Sequence, residues 1–236
     1  MRSRDRVAFS LQHQEPDRVP LDLGGSNVTG MHVSRVYALR QALQLDPPST
    51  PVRVTEPFQM LGEIAPDLLE ALHVDVVRLS SSTTNFGFEL EDWKPWRLFD
   101  GTPVLVPGKF NTEPDEKGNI LMYPQGDRTA PPSARMPKGG FYFDAIIRQR
   151  PLKENELNPE DNLEEFGVVS NEDLEHYRRE SERLHDQTDK AILASFGGSS
   201  FGDIALVPGL WLKHPRGIRD VKEWYASLVT RPDYIY

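Results

Sequence analysis

The stretch Val74–Ser82, VDVVRLSSS, decides how the rest of the chain is read. Its Val74, Val76, Val77 and Leu79 read as a strand that follows a helical stretch. One arginine, Arg78, sits inside that run. Upstream, RVPLDL (Arg18–Leu23) reads as another buried strand, and helical stretches rather than a tight hairpin lie between the two. SRVYALRQALQL, from Ser34, carries Val36, Leu39 and Leu43 on one stripe and stops at DPPSTP. PFQMLGEIAPDLLEALHV places Phe58, Leu61, Leu68, Leu69 and Leu72 inward, with Pro66 opening a helix at its first turn. Strand, helices, strand predicts parallel pairing, because a parallel crossover needs about a dozen residues. KAILASFGG (Lys190–Gly198) supplies a third core strand, and the fold class is α/β.

Outside this frame, Ser3 is the expected N-cap of a helix over RDRVAFSLQHQ that ends before Pro16. Residues 93–150 change character, with many prolines and glycines and the short runs GTPVLVPG, GNILMYPQG and GGFYFD. They read as a small antiparallel β insertion with DEKGN (Asp115–Asn119) as a turn. PLKENELNPEDNLEEF is acidic and reads as an exposed connection. Ser170 and Asp173 make a capping-box-like start to the helix NEDLEHYRRESERLHDQTD. DIALVPGLWL and GIRDVKEWYASLV read as helical, and RPDYIY opens a further helix near Pro232. An ending just inside a helix predicts a chain that continues beyond Tyr236.

Composition removes several classes of function. The chain has 27 Lys plus Arg against 36 Asp plus Glu, a net charge of −9 that repels a phosphate backbone, so no nucleic-acid partner is expected. No apolar run reaches membrane-spanning length and no secretory leader is readable, so no membrane partner and a cytoplasmic location are expected. Cysteine is absent, which removes disulfides, a thiolate nucleophile and any thiolate metal site. The six histidines show neither HxH nor HExxH spacing, so no metal site is expected from them.

In parallel α/β proteins, ligands gather at the carboxyl ends of the strands. Three such ends are readable. LDLGGSN offers Asp22 and Asn27; VRLSSSTTNFG offers Arg78, Ser80, Ser81, Ser82 and Asn85; ASFGGSSFGD offers Ser195, Phe196, Gly197, Gly198 and Asp203. Asp22, Asn27, Arg78, Ser80, Phe196, Gly197 and Gly198 are the candidate substrate-binding residues. Asp22 serves equally well as a turn former before Gly24 and Gly25. Arg78 is either paired in the interior or aimed at ligand, since an unpaired buried guanidinium is costly. The serine trio reads as loop, because the sequence sets no histidine base beside it and contains no GxSxG elbow. SFGGSSFG does not match GxGxxG, and no catalytic residue is assigned.

The order of LQHQEPDRVPLDLGG, EALHVDVVRLSSS, DWKPWRLFDGTPV and AILASFGGSSFGDIALVPG resembles the uroporphyrinogen decarboxylase (URO-D) superfamily, most of all its methyltransferase-like branch. The resemblance runs over nearly the whole chain. It implies a (β/α)8 TIM-type barrel of which residues 1–236 are the N-terminal part, the 93–150 insertion included. It implies a decarboxylase-like or methyltransferase-like enzyme acting on a tetrapyrrole, a corrinoid-linked compound or another small polar substrate, as in porphyrin biosynthesis. Its partners would be that substrate, a corrinoid protein and a second copy of the chain. The tetrapyrrole-handling residues of true decarboxylases are replaced here by LGGSNVTGM and RLSSSTT. The zinc of the methyltransferase branch is held by a histidine and two cysteines in the C-terminal half. Zinc therefore enters only if a continuation supplies those ligands, and no cofactor is expected within this chain. The alternatives are a catalytically inactive binding or scaffold relative and a truncated, non-functional fragment.

Overall fold

A computed structural model describes residues 1–163, 168–195 and 206–235. Helices α1 (Ser3–Leu11) and α2 (Val33–Ala42) precede strands β1 (Val52–Glu56) and β2 (Leu61–Gly62). Helix α3 (Pro66–Ala71) leads into β3 (Val76–Leu79), β4 (Lys94–Arg97) and β5 (Pro103–Val106). Then come β6 (Thr112–Pro114), β7 (Ile120–Met122), β8 (Ala134–Met136) and β9 (Asp144–Ala145). Helix α4 (Asn171–Gln187), β10 (Ala191–Ala194), α5 (Val221–Thr230) and α6 (Pro232–Ile235) complete the described elements. They fall into two compact units, the first made of Met1–Ser82, Leu90–Pro107 and Val169–Ser195, the second of Thr83–Glu89, Gly108–Val168 and Phe196–Tyr236.

In the first unit, one sheet has the order β2-β1-β5-β4. Strands β1 and β5 are parallel, with Val52 opposite Val104, while β2 and β4 run antiparallel on the edges. A second sheet is the parallel pair β3 and β10, in register from Val76 opposite Ala191 to Leu79 opposite Ala194. Strand β3 forms as read and is mostly buried: Leu69, Val74 and Val77 pack with Leu23, Ile64, Leu72, Leu184 and Ile192.

Ion pairs frame this core. The Asp75 side chain is wholly buried and accepts from Arg6 Nη1 at 2.6 Å, Arg18 Nη1 at 2.7 Å and the Leu21 backbone N–H at 2.9 Å. Buried Lys190 donates to the Val74 carbonyl at 2.7 Å and pairs with Glu70 at 3.0 Å, fastening the start of β10 to the entry of β3. Arg4 donates to the carbonyls of His185, Thr188 and Lys190, a cation set at the negative end of the α4 dipole. Ser170 caps α4 as its sequence implies, its Oγ accepting from the Asp173 N–H at 3.0 Å and donating to the Asp173 carboxylate at 2.7 Å.

The expected (β/α)8 barrel is not formed. Among the described residues the strands fall into three small sheets of four, two and four strands, mostly antiparallel, and none closes on itself. A barrel needs each strand hydrogen-bonded to two parallel neighbours around a closed ring. Here β1 and β5 spend their outer edges on antiparallel partners. RVPLDL, the expected first strand, is not a strand: Val19 is 83% and Leu21 44% exposed, and the backbone contact to β3 is one bond from the Asp75 N–H to the Leu21 carbonyl. Pro20 has no N–H to give a ladder, which is the local cause. A second difference is β1 itself, VRVTE, which lies just before the segment read as helical from Pro57; Met60 there is buried with φ +54° and ends any helix.

The second unit contains an antiparallel sheet of order β6-β7-β8-β9. DEKGN turns the first hairpin: Asp115 Oδ1 accepts from the N–H groups of Lys117 and Asn119, and Gly118 takes φ +80°, a conformation costly for other residues. Phe86 stacks on Phe88 at 6.0 Å, and Phe143 meets Phe86 and Phe110 edge-on at 6.1 Å each. Helix α5, capped by Asp220, buries Trp224 with Val207, Ile218 and Ile235. Of DIALVPGLWL, expected as a helix, residues 203–205 lie outside the described set and the rest forms turns, broken at Pro208 and at Gly209 with φ +59°.

Candidate functional site

Strand β3 alternates its side chains, so Arg78 and Ser80, two residues apart, share a face. That face lines a cavity of about 330 Å³ within the first unit, together with Leu23, Gly24 and Ser26 from the segment before α2, Thr55 of β1 and Leu184 of α4. The volume sits within the roughly 300–1,000 Å³ of small-ligand sites, near its lower end.

Arg78 is half-buried and its Nη1 donates to Asn27 Oδ1 at 2.5 Å. Asn27 is the one hydrogen-bond acceptor for this guanidinium among the described residues, and a guanidinium carries five N–H donors. Burial pushes Arg78 down from its ordinary value, while the Glu56 carboxylate and the Tyr177 phenol push it back up. An arginine stays protonated under such pressure, so the cavity wall keeps a fixed cation.

Glu56 lies at the end of β1, 4% exposed. Its two carboxylate oxygens accept from the backbone N–H groups of Phe58 at 3.1 Å and Gln59 at 2.7 Å, closing the turn into β2. Burial pushes its carboxyl up, against these two donors and the charge of Arg78. The alternation of VRVTE hid this group, because a glutamate at an inward position reads as solvent-facing.

The candidate residues separate into three sets. Arg78 and Ser80 line the cavity, and Asn27 joins them through its bond to Arg78. Asp22 does not join them: its Oδ1 accepts from the Gly25 N–H at 2.9 Å, a turn-forming bond. Phe196, Gly197 and Gly198, with Asp203, lie outside the described residues. We expect Asp22→Ala to lower stability by about 1 kcal/mol, the worth of one such bond, and to leave small-anion affinity at the cavity unchanged. A chemical denaturation curve beside a binding titration reads both, and a loss of affinity would return Asp22 to the ligand.

Helix α4 supplies what the sequence did not place. Asp173, His176 and Tyr177 stand at i, i+3 and i+4, one helical face, and that face lies along the exit of β3. Asp173 Oδ1 accepts from the Ser82 hydroxyl at 3.0 Å, and His176 Nε2 lies 3.0 Å from the Ser80 carbonyl oxygen. A histidine thus does stand beside the serine trio, contrary to the sequence reading, though it faces backbone rather than a hydroxyl. The signal was out of reach because 96 residues separate His176 from Ser80.

Comparison with family models, with curated proteins and with solved structures finds no match to this chain. Among the described residues no group of three or more His, Cys, Asp or Glu is placed to hold a metal ion. No described helix is long and apolar enough to cross a membrane.

Proposed function

We propose that the first unit binds a small anionic metabolite whose carboxylate or phosphate sits on Arg78. The observation that carries this reading is the guanidinium itself: half-buried, on the cavity wall, with Asn27 as its one described acceptor and donors to spare. A forked donor of this kind suits a planar or tetrahedral anion. The resemblance to the uroporphyrinogen decarboxylase superfamily would make that anion the substrate of a decarboxylase-like or methyltransferase-like enzyme. Of the substrate classes it names, the cavity volume favours a small polar compound over a tetrapyrrole. A non-catalytic binding relative is favoured by one specific feature, the commitment of the Asp22 carboxylate to a turn.

Titration with sulfate and with malonate, followed by NMR or calorimetry, tests the reading. Arg78→Ala should weaken the tighter of the two by about tenfold to a hundredfold, the worth of a charged hydrogen bond. Arg78→Lys should keep part of the affinity, since it retains charge without the fork. Equal binding by wild type and Arg78→Ala, or no binding of either anion to the wild type, would rule the site out.

A further inference from the structure

We propose that His176 is a positioning residue for this site, acting through Ser80, and that the Ser80 hydroxyl is the second donor to the anion held by Arg78. The inference rests on the proposed anion site and extends it to helix α4.

The argument starts where β3 leaves its sheet. Its ladder with β10 ends at Leu79, opposite Ala194, so Ser80 lies just past the paired strand. A carbonyl oxygen can only accept, so the His176 Nε2 atom 3.0 Å away must carry the proton and donate. One turn earlier on the same helix, Asp173 takes the Ser82 hydroxyl at 3.0 Å. These two bonds, at i and i+3 of α4, grip Ser80 and Ser82 from one side.

The grip leaves Ser80 with a free function. Its carbonyl is held by His176, while its hydroxyl has no hydrogen-bond partner among the described residues, and Ser80 lines the same cavity as Arg78. Ser82 is different, because its hydroxyl is already spent on Asp173. Of these two serines, Ser80 is therefore the one able to donate to a ligand. Its orientation depends on a bond made by a side chain that does not itself line the cavity. The same helix face contributes Leu184 to the cavity wall and sets Tyr177 near enough to Arg78 to act on its charge. Holding the donors in place before a ligand arrives spares it the entropy of ordering them.

The test uses the full chain with sulfate or malonate, whichever the wild type binds more tightly. Ser80→Ala should weaken binding about fivefold to tenfold, as for a lost hydrogen bond, and His176→Ala should weaken it by a similar factor. Because His176 acts through Ser80, the double variant should bind about as the Ser80→Ala variant does, not at the product of the two losses. His176→Gln places an amide N–H where Nε2 stood and should restore most of the affinity. An unchanged affinity in His176→Ala, with or without a fall in melting temperature, would overturn the proposal. Multiplicative losses in the double variant, or failure of glutamine to rescue, would also overturn it. If wild type binds neither anion, both this inference and the site reading fall; if Arg78→Ala loses binding and His176→Ala does not, this one falls alone.

Discussion

Asp75→Ala is expected to remove about 3–5 kcal/mol of unfolding free energy, because it strands a buried guanidinium. Arg6 is buried and Arg18 partly so, and both aim at this one carboxylate, which also accepts the Leu21 N–H. Without it Arg6 keeps Asp17, but its Nη1 loses the partner it has at 2.6 Å. Urea denaturation should show the loss as a lower midpoint with an unchanged slope. A shift below about 1 kcal/mol would mean that water replaces the carboxylate. The pH dependence has a definite sign. Burial alone would raise the Asp75 carboxyl, but the Leu21 N–H and the side chains of Ser3, Arg18 and Arg6 outweigh it and hold it at about 2 against an ordinary 3.8. A lowered carboxyl contributes fully above the ordinary value and loses its contribution as pH falls through the folded one. Its worth is about 2 kcal/mol, so wild type should lose that increment on acidification from about pH 4 to pH 2, while the alanine variant, lacking it, should not.

The second large effect belongs to the other unit. Phe143→Ala should cost about 3–5 kcal/mol, the usual range for deleting a buried phenyl ring. Phe143 is 1% exposed and makes edge contacts with both Phe86 and Phe110, themselves almost fully buried, so its loss opens a void among side chains with little freedom to close it. Phe143→Leu, which keeps much of the volume, should recover more than half of that loss. The check is a thermal or urea transition with hydrogen exchange at β7 and β8. Unchanged amide protection there in the alanine variant would mean that the aromatic cluster is not what supports this sheet.

Strands β3 and β10 were legible as short, mostly apolar runs, although β10 is covered far less than β3. Helix α4 was legible because Ser170 and Asp173 announce its start. The barrel was not formed, for reasons the residues contain. Proline at position 20 denies the first expected strand its ladder, and the sheet partners of β1 and β5 run the wrong way for closure. The site divides in the same manner. Arg78 stood out as a cation in an apolar run, and Ser80 from its place at a strand's carboxyl end. Glu56 and His176 were not picked out from the sequence. What placed them was tertiary: a turn that folds two backbone amides onto one carboxylate, and a helix face laid along a strand exit.

The pairing of β3 with β10 also bears on the order in which this chain acquires structure during synthesis. The two strands join residues 76–79 to 191–194, and Arg4 reaches carbonyls at positions 185, 188 and 190. A nascent chain therefore carries β3 without its β10 partner, and without Leu184 and Ile192 packed on it, through the translation of more than a hundred residues, roughly ten seconds at ordinary elongation rates. Meanwhile the hairpin of β6 and β7, turned by five consecutive residues, closes in microseconds. The local β ribbon is thus the early event, and the cavity lined by Arg78, which needs α4 in place, is among the last features to exist.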